Sequence, residues 1–139
     1  MTAAKSFRLP EDLVDRIAQR GREEGVSQTD LVISLLDEGL KVRTFPGIVY
    51  RDGPTGRRAG LAVGPDVWEV IGTVRQVTGS GEAKVRNTAE MLSLPERWVR
   101  LAVEFYAAFP DEIDERIRRN DEAAAQMRER AERRERLLT

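Results

Sequence analysis

The first forty residues read as one strand followed by two helices, and such a segment cannot bury its own apolar side chains. Ala4-Lys5-Ser6-Phe7-Arg8-Leu9 alternates with a period of two, the strand signature, which sends Phe7 and Leu9 to one face and Ala4, Ser6 and Arg8 to the other. Pro10 ends the strand and suits the first turn of a helix. Leu13, Val14, Ile17 and Ala18 recur at helical spacing, and the stretch Gly21 to Gly25 is expected to end that helix. Ser27 is placed to cap a second helix, with Asp30 three residues on as a variant capping box. Leu31, Val32, Leu35, Leu36 and Leu40 give that helix a continuous apolar face. One strand is not a sheet, and forty residues make too small a core. Pairing with an identical chain solves both problems: two strands form an antiparallel ribbon over four helices.

A ribbon of that kind fits the DNA major groove. Lys5 to about Lys41 resembles the ribbon-helix-helix family of CopG, Arc and MetJ type. The likeness rests on Phe7-Arg8-Leu9-Pro10, on Gly25-Val26-Ser27-Gln28-Thr29-Asp30, and on the run from Leu31 to Leu40. It implies an intertwined homodimer on double-stranded DNA. Ala4, Ser6 and Arg8 would face the bases, and Ser27, Gln28 and Thr29 would clamp a phosphate. Helix-dipole physics favours the same clamp. Several dimers side by side would raise a modest affinity per dimer.

Charge bears on this reading, because the net charge is only −1 and acidic and basic side chains balance within one charge in each third of the chain. Any DNA contact must therefore come from a local patch rather than from bulk attraction. The chain has no Cys and no His. Disulfides, thiol nucleophiles, Cys/His zinc sites and Ser-His-Asp triads are excluded together. No carboxylate constellation replaces them, so neither an enzyme nor a metal or cofactor is expected. No apolar run approaches the length of about 18 residues that a membrane span needs, and the N-terminus lacks an apolar signal region. A soluble protein of the bacterial cytoplasm or nucleoid is expected.

Residues 44–110 form a second segment. Ile48 to Tyr50 and Leu61 to Val63 read as the two strands of a hairpin around Asp52-Gly53-Pro54-Thr55-Gly56. The hairpin loop lacks the Gly-Lys-Ser/Thr ending of a phosphate-binding loop. Asp66 and Glu69 bracket a helix start, with Val67, Val70, Ile71 and Val74 facing inward. Residues 84–92 form another helix, and Ser93-Leu94-Pro95-Glu96 reads as a capping box for the next, with Pro95 at its first turn. Residues 84–107 thus have a helix-turn-helix outline. Arg97 and Arg100 on its second helix are a possible secondary DNA contact, while Trp98, Ala102, Phe105 and Phe109 are core.

The stretch from Phe45-Pro46-Gly47-Ile48-Val49-Tyr50 through Val67-Trp68-Glu69-Val70 and Ala89-Glu90-Met91-Leu92 to Phe109-Pro110-Asp111-Glu112-Ile113 resembles a small domain of VapB-type antitoxins. Their toxins have a PIN-like nuclease fold. Residues 111–139 then form a charged helical tail. Its sparse stripe of Ile113, Ile117, Ala124, Met127, Ala131 and Leu138 is interrupted by Asn120 and Arg134. A helix of this kind gains more from docking on a partner than from folding alone. Ile117, Met127, Ala131 and Leu138 are the expected contacts, with Arg128, Arg130 and Arg133 as charge partners. The expected molecule is mainly α: a ribbon-helix-helix dimer over 1–43, a small helical domain with a β-hairpin, and a helical tail. Its expected role is an antitoxin repressor of its own operon. The alternative is a stand-alone transcription or nucleoid-organising factor.

Overall fold

A computed structural model describes all residues, Met1–Thr139. The chain is mainly helical and folds as two units, Met1–Thr44 and Phe45–Thr139.

In the first unit, residues 1–10 carry no regular secondary structure and all are exposed. The expected strand over Ala4–Leu9 is absent from the single chain, because a strand's hydrogen bonds need a neighbouring strand. Helix α1 spans Glu11–Glu24, with Pro10 at its N-cap and Glu11 and Asp12 in its first turn, where the helix dipole favours acids. It ends within the expected stretch Gly21 to Gly25, though not at Gly21 itself. That residue is buried inside the helix, where a Cβ would lie 3.2 Å from the Val26 carbonyl oxygen. Gly25 is the terminator, left-handed at φ 67°, and the Val26 N–H returns to the Gly21 carbonyl at 3.0 Å. Helix α2 spans Gln28–Thr44. Ser27 caps it: the Asp30 N–H donates to Ser27 Oγ at 3.0 Å.

The second unit opens with strands β1 (Ile48–Arg51) and β2 (Arg58–Leu61). They pair antiparallel, Ile48 opposite Leu61 and Arg51 opposite Arg58. The return strand therefore begins three residues earlier than Leu61, and Val63 is exposed beyond it. The cause is a tight turn, in which the Gly56 N–H closes onto the Gly53 carbonyl at 3.0 Å and leaves only a short path back.

Helix α3 spans Val67–Gln76 and starts at the expected box, with the Asp66 N–H donating to Glu69 Oε2 at 2.8 Å. Helix α4 spans Glu82–Leu92 and helix α5 spans Glu96–Ala108. Ser93 does not cap α5. It ends α4 in a left-handed turn, φ 51°, and the Leu94 N–H reaches the Ala89 carbonyl at 2.9 Å. Pro95 occupies the N-cap of α5 rather than its first turn.

Val67, Val70, Ile71, Val99, Ala102 and Phe105 form the core with Ile48 and Leu61 from the hairpin. Phe45, Phe105 and Phe109 stack around it with ring centroids 5.2–6.0 Å apart. Helix α6 spans Pro110–Leu138 with proline in its first turn. The expected break at Pro110 is not a domain boundary. Ile113 is buried in the same core, and Ile117 packs against it. From Asp121 onward α6 is exposed apart from partial cover at Ala123 and Ala124.

Candidate nucleic-acid interface

Ala4, Ser6 and Arg8 are exposed, but so are Phe7 and Leu9, so the single chain does not separate the two faces of this segment. Leu9 does lie at one side of a shallow groove with Val14, Ile17, Val32 and Ile33. That is the side on which the alternation places it.

The residues expected to clamp a phosphate come together where α2 begins. Ser27 holds the helix start with its side-chain oxygen, and Gln28 and Thr29 occupy the exposed first turn. Backbone N–H groups there have no acceptor inside the helix, and the dipole adds positive potential. Asp30, in the same turn, opposes an anion.

Within this unit only Gly21 and Leu31 are buried. Phe7 is 68% exposed, Ile33 61%, Leu36 57% and Leu40 68%. At about 100° per residue, the apolar side chains of α2 cover more than half its circumference. A helix apolar on that many sides is a core helix, yet here α1 covers only one side.

The arginines of the second unit are engaged differently. Arg100 donates to Glu82 and, at 3.3 Å, to Glu96. Arg97 lies over the Trp98 ring, 5.8 Å from its centroid. Arg100 is thus taken up by carboxylates of α4 and α5, and no basic stripe forms on the outer face of α5. Along α6, Ile117 is a core contact rather than an open one. Met127, Arg128, Arg130, Ala131, Arg133 and Leu138 are all exposed, and Arg133 pairs with Glu129 on its own helix. Asn120, one turn beyond Arg116, has its amide nitrogen buried without an acceptor.

Two polar centres were not read from sequence. Asp66 is nearly buried and gathers Arg51 Nη1 at 3.2 Å, Arg58 Nε, and the Trp68 indole N–H at 3.2 Å. Its place in a capping box was legible, but its arginine partners lie 15 and 8 positions away. Arg116 is 8% exposed and donates to Thr55 and Arg57 in the hairpin loop. Its spacing three residues after Ile113 marked it as inward-facing, though the surrounding charges concealed that.

Other exposed pairs tie α6 down. Arg75 bonds Asp114 at 2.7 Å, and Tyr106 donates to the same carboxylate at 3.1 Å. Hydrogen bonding from Arg75 holds Asp114 below the usual carboxylate range. Hydrogen bonds from Arg118, and then Arg119, bring Glu115 down to about 2.

Comparison with protein-family models, with curated proteins and with solved structures found no match to this chain. No helix is long and apolar enough to cross a membrane.

Proposed function

We propose that this chain is a homodimeric, sequence-specific DNA-binding repressor whose second unit engages a nuclease-like toxin, as an antitoxin does. The observation that carries the dimer is the apolar surface of the first unit. Phe7, Ile33, Leu36 and Leu40 stand in water around a unit with two buried residues. Covering each such side chain is worth about 1.5–3 kcal/mol when burial is complete. A second copy supplies the cover, and it also supplies the strand that residues 4–9 lack.

With the ribbon paired, Arg8 stands opposite Phe7 and Leu9 and reaches base edges in the major groove. The first turn of α2 then binds a flanking phosphate. The antitoxin role is supported by the resemblance of residues 45–113 and by the exposed side of α6 from Met127 to Leu138.

Two measurements test this reading. Sedimentation of the full chain should give a dimer, and Phe7→Asp should abolish it, because the charge enters an apolar interface. Footprinting on DNA upstream of the gene should show a protected site that Arg8→Ala loses, at about 1–3 kcal/mol per contact. A monomer at micromolar concentration, or a footprint unchanged by Arg8→Ala, overturns it.

A further inference from the structure

Between the hairpin and α6 lies a cleft of about 200 Å³, lined by Arg57, Arg58, Arg116 and Arg119 with Trp68, Glu112 and Glu115. Three of these arginines have carboxylate partners. Arg57 pairs with Asp52 at 2.9 Å, Arg58 with Asp66, and Arg119 with Glu115 at 3.1 Å. Glu112 accepts the Tyr50 hydroxyl at 2.6 Å.

Arg116 differs. It is the most buried of the four, and its hydrogen bonds end on neutral oxygens: the Thr55 carbonyl, the Thr55 hydroxyl and the Arg57 carbonyl. A guanidinium carries more N–H groups than these bonds use. Buried charges are normally paired with an opposite charge. Here no carboxylate hydrogen-bonds to it, and the charges that act on it are two more cations, Arg119 and Arg58, offset in part by Asp66. Burial first, and then the fields of Arg119 and Arg58, push the Arg116 pKa down.

The cleft is smaller than the 300–1,000 Å³ or so of a drug-sized ligand pocket. It has the size of one compact anionic group. Arginine's planar fork suits tetrahedral oxyanions, which accept several N–H bonds together.

We propose that this cleft binds a phosphoryl group, with Arg116 as its buried ligand and Arg119 as its ligand at the rim. Arg119 reaches it by leaving Glu115, so Glu115 competes with the ligand. The Trp68 ring, anchored through its N–H to Asp66 at 3.2 Å, forms a wall of the cleft and reports on occupancy. The proposal is independent of the ribbon, since every residue in it belongs to the second unit.

The test is a titration of the full-length chain, carrying Trp98→Phe so that Trp68 alone emits. Inorganic phosphate is added at constant ionic strength against chloride, which removes simple screening. The expected result is a saturable change in emission. Arg119→Gln should weaken binding about tenfold, the loss of one charge-assisted hydrogen bond. Glu115→Gln should instead tighten it, because Arg119 is released; a purely structural role for the cluster does not produce that sign. Both side chains lie at the surface, so these variants stay folded, whereas Arg116→Gln would also release the hairpin loop. A short DNA duplex forms the second arm. If it changes Trp68 emission and phosphate competes with it, the phosphoryl group belongs to the nucleic-acid backbone. If only phosphate acts, the ligand is a free phosphate. No saturable change below about 10 mM phosphate, or binding indifferent to both variants, overturns the proposal.

Discussion

Arg116 donates from one guanidinium nitrogen to both the carbonyl and the hydroxyl oxygen of Thr55, at 2.8 and 2.9 Å, across 61 positions of sequence. Together with the bond to the Arg57 carbonyl at 3.0 Å, it fastens the hairpin loop to the second turn of α6. The long charged helix is therefore part of the second unit at its start and free of it at its end.

Arg116→Met keeps the length of the side chain and removes its donors. The loop carbonyls lose their partners, and the variant should be less stable by about 2–3 kcal/mol. Thermal unfolding followed by circular dichroism measures this. An unchanged midpoint would mean that water replaces the guanidinium without cost.

Asp66→Asn tests the other polar centre. The amide still caps α3, but it no longer neutralises Arg51 and Arg58. Both arginines are partly solvated, so the cost should be about 1–3 kcal/mol rather than that of a fully buried pair. Chemical denaturation of Asp66→Asn against the parent chain gives the value.

Two truncations separate the parts of α6. Removing residues 121–139 takes away helix that is exposed apart from Ala123 and Ala124 and should change the melting of the second unit little. Removing residues 111–139 deletes Ile113, Arg116 and Ile117, and should unfold that unit. Loss of a buried Ile alone costs about 2–5 kcal/mol. The same pair of proteins, titrated with a candidate toxin, locates the docking segment. If the shorter truncation keeps full toxin binding, the face from Met127 to Leu138 is not the docking surface.

Acid should weaken two sets of contacts: the Asp114 tie to Arg75 and Tyr106, which anchors α6, and the Glu115 pairs with Arg118 and Arg119 inside that helix. Asp114 and Glu115 titrate lower in the folded chain than when unfolded, Glu115 at about 2 against an ordinary 4.5. Their stabilisation is thus complete above the ordinary value and fades as pH falls toward 2. Both are solvent-exposed, so salt should diminish the effect. Melting temperatures across this window should fall less steeply for Glu115→Gln than for the parent.

Much of the local structure was legible because it depends on neighbours in sequence. Asp66 and Glu69 announced the start of α3, and Val67, Val70 and Ile71 announced its buried side, since capping and helical periodicity act over three or four residues. Ser93 was misread for a related reason. A serine before Leu-Pro-Glu suits an N-cap, but the same residue can close the preceding helix in a left-handed turn, and the return of Leu94 to Ala89 decided between them. The stretch Gly21 to Gly25 announced the end of α1, but only the structure put that end at Gly25 and left Gly21 inside the helix, close under the Val26 carbonyl.

By itself the sequence determined a mainly helical chain, its helix positions to within a few residues, and a first unit with more apolar surface than it can bury. Only the tertiary structure decided that α6 begins inside the second unit, that Arg100 is taken up by carboxylates of α4 and α5, and that Arg51, Arg58 and Trp68 converge on Asp66. The physical reason is range. Periodicity and capping are energies between residues a turn apart, which the order of residues displays directly. Ion pairs and hydrogen bonds between distant segments depend on how the backbone brings them within about 3 Å, and that distance exists only once the chain has folded.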